Sequence, residues 1–396
     1  MSKKIIVGIT GSIAAFKSIQ LISNLVKLGY HVEVLMTPSA NRFVTKESIQ
    51  ALTKRKVYID IFDDDPSSII HIDIVKNADL FIVVPASATT IAKLACGIAD
   101  NMLTAAYLAA VCPKLIAPAM NVHMYQNTVT QRNINQLKKD GALVIEPDKG
   151  LLACGDIGQG KLADLKNIQF MIQYTLNHHI LKGKKILITA GPTKESLDPI
   201  RYISNHSTGK MGYALAKAAF MLGADVHLIS GPVNLTIPYI PITHITSAQE
   251  LFEKVTEISN DYDYIIMSAA VGDYTPLDTY TEKIKKESDT MTLSLKKTND
   301  ILAYLGTHKK AHQIICGFAM ETNHLIENAQ KKLNDKKADM IVCNNLKVEG
   351  AGFGTDTNVI SIITQDKIIS YDKKSKEDLS YDILLQCKEM EDKQCC

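Results

Sequence analysis

The feature that most constrains this chain is a strand, glycine loop and helix opening that it uses twice. Near the middle, Lys185 to Ala190 is an apolar, β-branched run closed by Gly191-Pro192, the pattern of a buried strand. A polar loop with Gly209 and Gly212 then feeds an amphipathic helix carrying Met211, Leu215, Ala218 and Leu222 on one face. The chain also begins this way. Lys4 to Ile9 read as a strand, Thr10-Gly11-Ser12 as a tight turn, and Ala15, Ile19, Ile22 and Val26 as the buried stripe of a helix. Each opening aims backbone N–H groups and a helix dipole at one spot, which suits an anion. The expectation is an α/β protein of two Rossmann-like three-layer domains, each with its own phosphate site.

At 396 residues the chain is long enough for two cores. Helical periodicity fades after Leu176 and no Pro/Ser-rich linker follows, so domains are expected at 1–182 and 183–396, on a short connector. A net charge of +2 gives no reason to expect nucleic acid or a membrane surface as partner. No apolar run approaches the roughly 20 residues of a membrane span. The first strand starts directly after Met1-Ser2, so a cytoplasmic location is expected. Eight cysteines without a CxxC pair disfavour disulfides and structural zinc, and Cys395-Cys396 is assigned no role.

In the first half, Leu80 to Val84 reads as a buried strand, followed by Ser87, Thr89 and Thr90. Hydroxyls at the carboxyl end of a parallel strand suit a phosphate or ribityl chain, although Ser87 alone would serve as a helix cap. Asn121 follows the strand Leu115 to Ala117, where an asparagine is as readily a turn residue. His71, taken alone, reads as a structural histidine. The loop from Leu151 to Lys161 sets three glycines around Cys154 and should be a mobile flap. A cysteine there is better placed as an acid or nucleophile than as core.

In the second half, Ala269 and Ala270 close the strand Tyr264 to Met267, and small residues there let a flat ring approach the backbone. Asp273 could meet a metal or merely form a turn. The run Lys283-Ile284-Lys285-Lys286 is a solvated face or a partner for a polyphosphate.

Five motifs in order carry a resemblance: His71, Pro-Ala-Ser-Ala at 85–88, Gly-Ile-Ala-Asp-Asn at 97–101, Pro-Ala-Met-Asn at 118–121 and Ala-Cys-Gly-Asp at 153–156. Together they resemble the flavin-dependent 4′-phosphopantothenoylcysteine decarboxylase family. That implies a flavodoxin-like parallel sheet binding FMN through Gly11, Ser12, Ser87, Thr89 and Thr90, in a trimer-based assembly. Decarboxylation needs an electron sink, and the family's flavin supplies one by oxidising the cysteinyl thiol to C=S, β to the carboxylate. The resemblance gives His71 a role at flavin and substrate, Asn121 the carboxylate, and Cys154 the proton of the final reduction. Lys161 stands where arginine is usual and cannot fork; Gln159 replaces a common proline.

The second half resembles the phosphopantothenate–cysteine ligase family through Ala-Gly-Pro-Thr at 190–193, Asp-Pro-Ile-Arg at 198–201, Ser-Asn-His-Ser-Thr-Gly-Lys-Met-Gly at 204–212, Ala-Ala-Val-Gly-Asp-Tyr at 269–274, Lys-Ile-Lys-Lys at 283–286 and Gly-Phe-Ala-Met-Glu-Thr at 317–322. The fold implied is a doubly wound, mostly parallel sheet, and the substrates are 4′-phosphopantothenate, L-cysteine and CTP with Mg²⁺. By resemblance Lys283 neutralises the triphosphate, Asp273 holds the metal and Asn205 orients an acyl-cytidylate. Arg201 supports that loop or the second half-reaction, and Ala269, Ala270 and Phe318 shape the base pocket. Nearly the whole chain thus resembles the bacterial bifunctional family of coenzyme A biosynthesis, with dimers of the second domain and trimers of the first, up to a dodecamer. A nicotinamide oxidoreductase is disfavoured because neither opening completes G-x-G-x-x-G. A non-catalytic flavin-binding regulator is disfavoured by intact His71, Asn121 and Cys154.

Overall fold

The two apolar runs that open each half become central strands of two separate sheets. A computed structural model describes residues 2–62, 69–285, 290–321, 324–345, 352 and 354–394; Lys286, Thr322, Cys395 and Cys396 lie outside the described residues. The chain divides into two units, Met1–Asn177 and His178–Cys396. Leu181 already belongs to the second, fully buried in its core with its N–H on Leu222 O at 2.9 Å.

The first unit holds β1 (Lys4–Ile9), β2 (His31–Met36), β3 (Val57–Tyr58), β4 (Leu80–Ala86), β5 (Lys114–Pro118) and β6 (Leu143–Val144). Their order is β3-β2-β1-β4-β5-β6, every neighbouring pair parallel. With the two-residue edge strand β3 set aside, this is the flavodoxin-like order, whose switch point falls between β1 and β4. β4 is buried along its whole length, as a strand covered on both faces must be. Helix Ala15–Lys27 buries Ala15, Ser18, Leu21, Ile22 and Leu25, whereas Ile19 and Val26 are only half-buried. The stripe is rotated from the one expected because Ser18 Oγ satisfies itself inside, donating to Val84 O at 2.7 Å. Beyond the sheet, β7 (Asp148–Leu151) and β8 (Ile157–Lys161) form an antiparallel hairpin.

The second unit contains β9 (Lys185–Ala190), β10 (Lys194–Ser196), β11 (Tyr202–Ser204), β12 (Asp225–Ser230), β13 (Ile242–His244), β14 (Tyr264–Met267), β15 (Tyr274–Pro276), β16 (Leu295–Lys297), β17 (Ile314–Glu321), β18 (Met340–Asn345), β19 (Thr357–Thr364) and β20 (Ile368–Ser375). The main sheet runs β13-β12-β9-β14-β17-β18-β19-β20. It is parallel through β18, and β19 and β20 close one edge as an antiparallel pair. Alternate residues of β9 feed opposite cores, Ile186 and Ile188 one, Leu187 the other. Helix Lys210–Met221 turns Leu215 and Ala218 inward as its periodicity predicts. Gly212 lets it close on β9, since a Cβ there would lie 2.5 Å from that of Ala190.

Candidate functional site

Each switch point is stitched by a buried threonine at the carboxyl end of its central strand, Thr10 just past β1 and Thr189 inside β9. Thr10 Oγ1 donates to Pro85 O at 2.7 Å and accepts the Ser87 N–H at 2.9 Å. Thr189 Oγ1 accepts the Ala269 N–H at 3.1 Å. The loops that follow β1 and β4, and those that follow β9 and β14, are therefore held together at the carboxyl edge where α/β proteins bind ligands.

In the first unit Gly11 and Ser12 open the helix Ala15–Lys27, and Gly11 is needed because a Cβ would meet Ser39 Cβ at 2.6 Å. Ser87 caps the helix Ala88–Ala95 and accepts the Thr90 N–H at 3.3 Å. Its hydroxyl also donates to Thr90 Oγ1 at 3.2 Å, so Ser87 and buried Thr90 serve each other, while Thr89 is exposed. His71 sits half-buried in the short helix Ile70–Asp73 on the way from β3 to β4.

Asn121 and Cys154 meet directly. Asn121 caps the helix Val122–Gln126, its Oδ1 accepting the His123 N–H at 2.8 Å. Its Nδ2 donates to Cys154 Sγ at 3.2 Å and to Asp156 Oδ2 at 2.7 Å, and Cys154 Sγ donates to Asp156 Oδ2 at 3.3 Å. The Asn121 amide and then the Cys154 thiol hold the Asp156 carboxyl below the usual carboxylate range. Asp156 was only a letter of a motif in the sequence; its place between the two candidate residues depends on the hairpin. That hairpin is also more regular than the expected loop. Gly160 N–C–O backbone packs on the Asn121 turn, with Met120 N–H on Gly160 O at 2.9 Å, and a Cβ on Gly158 would lie 2.5 Å from Val122 Cγ2. Gln159 Nε2 bonds Pro147 O at 3.3 Å across the strand pair.

In the second unit Asn205 Nδ2 donates to the carbonyls of Ala270 and Val271, at 3.1 and 3.0 Å. Thr193 Oγ1 accepts the Gly272 N–H at 2.9 Å, so the loop that carries Asp273 is pinned from both sides. Arg201 Nη1 pairs with Asp198 Oδ2 at 2.9 Å and reaches Ile284 O at 3.1 Å, beside Lys283. Burial pushes the Asp198 carboxyl up, but the N–H groups of Ile200, Arg201 and Ile284 and the Arg201 charge outweigh it and hold it low. Phe318 lies on β17, and Lys332 Nζ donates to its carbonyl at 2.8 Å. One turn on, Lys336 pairs with Asp300, which caps the helix Ile301–His308. Lys332 and Lys336 stand four apart on the helix Leu325–Lys336, the spacing that puts two side chains on one face. Asp273 and Lys283 are both exposed. Among the described residues no three His, Cys, Asp or Glu side chains gather as a metal cluster. Among the same residues no helix is long and apolar enough to cross a membrane.

Residues 1–177 match the Flavoprotein family, and residues 181–390 match the DNA/pantothenate metabolism flavoprotein C-terminal domain. Over 396 aligned positions the chain is 46% identical to the coenzyme A biosynthesis bifunctional protein CoaBC of Bacillus subtilis, covering 97% of this chain and 96% of that one. The chain belongs to the CoaBC family. The CoaBC protein of Vibrio parahaemolyticus is 40% identical over 98% of both chains. A cysteine/cysteine sulfinic acid decarboxylase from an unknown prokaryotic organism is 43% identical over 86% of this chain and 98% of its own. As a CoaBC protein the chain is a bifunctional enzyme of coenzyme A biosynthesis, with a flavoprotein decarboxylase unit followed by a ligase unit.

Proposed function

We propose that the second unit joins 4′-phosphopantothenate to L-cysteine at the expense of CTP, and that the first unit decarboxylates the product with FMN. The observation that carries the decarboxylase half is the contact of Cys154 with Asn121. It places a thiol proton beside an amide suited to a carboxylate, on a flap near the carboxyl edge of the sheet. The β1–β4 crevice fits FMN: a helix N-terminus for the phosphate, the Ser12, Ser87 and Thr89 hydroxyls for the ribityl chain, and exposed Ile13 and Phe16 for apolar contact. When bound, FMN supplies the reversible oxidation that gives the leaving carboxyl an electron sink. With flavin and substrate in place, Asn121 would orient the carboxylate, His71 would serve flavin and substrate, and Cys154 Sγ would deliver the proton to carbon that accompanies the hydride returned by the cofactor.

In the ligase half, an oxygen of the substrate carboxylate attacks the α-phosphorus of CTP and pyrophosphate leaves. The cysteine amine then attacks the acyl carbon of the acyl-cytidylate and CMP leaves. Lys283 neutralises triphosphate charge. Asn205, anchored on the Ala270 and Val271 carbonyls, holds its loop against the acyl intermediate. Arg201 acts as a positioning residue through Asp198. Ala269, Ala270 and Phe318 border the base. Asp273 as a lone carboxylate fits Mg²⁺, which keeps waters and binds mainly through substrate phosphates.

By the family resemblance we infer a homo-oligomer of first-unit trimers and second-unit dimers, up to a dodecamer; exposed Phe43 in the first unit and Ile200, Tyr202 and Tyr280 in the second are apolar side chains available to such contacts. The setting is the cytoplasm, where thiols stay reduced. We infer that the two activities divide at the boundary between the units, Met1–Asn177 and His178–Cys396.

The test is a pair of measurements on purified protein. It should be yellow, release FMN on denaturation, and liberate carbon dioxide from 4′-phosphopantothenoylcysteine but not from free L-cysteine. Carbon dioxide from free cysteine alone would instead assign the chemistry named for the cysteine decarboxylase relative.

A further inference from the structure

The amide of Asn121 has no donor to spare. An asparagine side chain offers two N–H bonds and one carbonyl oxygen. The oxygen is committed to the His123 N–H at 2.8 Å, where it caps the helix Val122–Gln126. The nitrogen gives one bond to Asp156 Oδ2 at 2.7 Å and one to Cys154 Sγ at 3.2 Å. The Cys154–Asp156 contact at 3.3 Å closes the triangle. A substrate carboxylate can therefore reach this nitrogen only by replacing one of these two partners.

Asp156 is the partner that matches the newcomer in shape and charge. Two carboxylates crowded on a single amide repel each other, so one must leave. We propose that Asp156 is a resident carboxylate that the substrate's carboxylate displaces from Asn121, which makes it a positioning residue that holds the ligand-free arrangement of the flap. This rests on the decarboxylase reading above.

The same exchange reaches Cys154. Asp156 lies in the turn between β7 and β8, where Gly155 has φ of +90°. The Leu152 N–H bonds Asp156 O at 2.9 Å, and the Gly155 N–H bonds Leu152 O at 2.9 Å. When Asp156 gives way, Cys154 Sγ loses its acceptor on Asp156 Oδ2, so arrival of a carboxylate frees the thiol proton. A ligand without that carboxylate leaves Asp156 on Asn121. The exchange thus weakens carboxylate binding at Asn121 and leaves binding of a decarboxylated ligand as it was.

The test uses a matched pair of ligands that lack the oxidisable thiol: 4′-phosphopantothenoylserine and the same compound without its carboxyl group. Their dissociation constants are measured by calorimetry on the full-length, FMN-loaded wild type, Asp156→Asn and Asp156→Ala proteins. Retained flavin reports that each variant is folded. Removing the resident charge should tighten the carboxylate-bearing ligand by about tenfold, the scale of one hydrogen bond to a charged group. The decarboxylated ligand should change by less than about twofold on the same reasoning, since it leaves the exchange unused. An unchanged ratio of the two constants, or weaker binding of the carboxylate ligand, overturns the proposal. Wild-type protein that binds neither ligand overturns the decarboxylase reading and this proposal with it. Wild-type protein that binds both, with a ratio indifferent to residue 156, overturns the proposal alone.

Discussion

Arg201 Nη1 donates to the carbonyl oxygen of Ile284 at 3.1 Å, joining two loops that stand 83 residues apart in the chain. Asp198, with its side chain fully buried, organises both ends of the link. One of its oxygens takes the Ile200 and Arg201 N–H groups, and the other takes Arg201 Nη1 and the Ile284 N–H. The loop that carries Lys283 is therefore fixed by Asp198, which stands outside the set of residues proposed to hold the nucleotide.

Asp198→Asn should lower the melting temperature of the second unit by roughly 2–6 °C near neutral pH. It should also raise KM for CTP more than it lowers kcat, because the loop loses order rather than chemistry. The folded carboxyl is held low, so its stabilisation is present above the unfolded value of about 3.9 and is lost as pH falls through the folded one. The melting gap between wild type and variant should hold through neutral pH and close below about pH 4. A gap that widens with acid would contradict the assignment.

Cys154→Ser should still release carbon dioxide, while completing the reduction about a hundredfold or more slowly, the usual scale for a lost general acid. Mass spectrometry of the product should find the unsaturated enethiol short of two hydrogens. Normal amounts of the saturated product would exclude Cys154 as the proton donor.

Gly160→Ala would bring a Cβ to 2.4 Å from Met120 O, at a φ of +152°. The hairpin must then lift from the Asn121 turn, at a cost of about 1–3 kcal/mol. Decarboxylase activity should fall while ligase activity, housed in the other unit, stays at wild-type level. Separate assays of carbon dioxide and pyrophosphate check this; equal losses in both would point to general misfolding instead.

Asn205→Asp replaces an amide that donates to two carbonyls with a carboxylate that faces their oxygens. Ligase turnover should fall by about tenfold to a hundredfold, the scale of two lost neutral hydrogen bonds. Rapid-quench measurement should find CMP release slowed more than pyrophosphate release, so that acyl-cytidylate builds up. Unchanged release of both would remove Asn205 from the reaction.

Much of this was legible in the chain. The two strand–loop–helix openings gave both sheets, because β-branched runs ending at glycine leave few alternatives. The inward stripe of Leu215 and Ala218 follows from periodicity alone. The first helix was read one position off, since a serine was not expected inside; only the Val84 carbonyl, 66 residues away, makes Ser18 a core residue. The flap was read as an irregular mobile loop because β7 and β8 lack apolar alternation, and their glycines encode close backbone approach instead. Asp156 and Asp198 were visible only as motif letters. Their roles come from side chains that converge after folding, which spacing does not report.

The central claim is that one chain both makes an amide by nucleotide activation and strips a carboxyl group from that product. It is tested most directly by supplying 4′-phosphopantothenate, L-cysteine, CTP and Mg²⁺ to the FMN-loaded protein and counting CMP against carbon dioxide. The account predicts both products at one to one once the intermediate has reached steady state, with each dependent on added CTP. Carbon dioxide without CTP, or CMP with no carbon dioxide to follow, would contradict it.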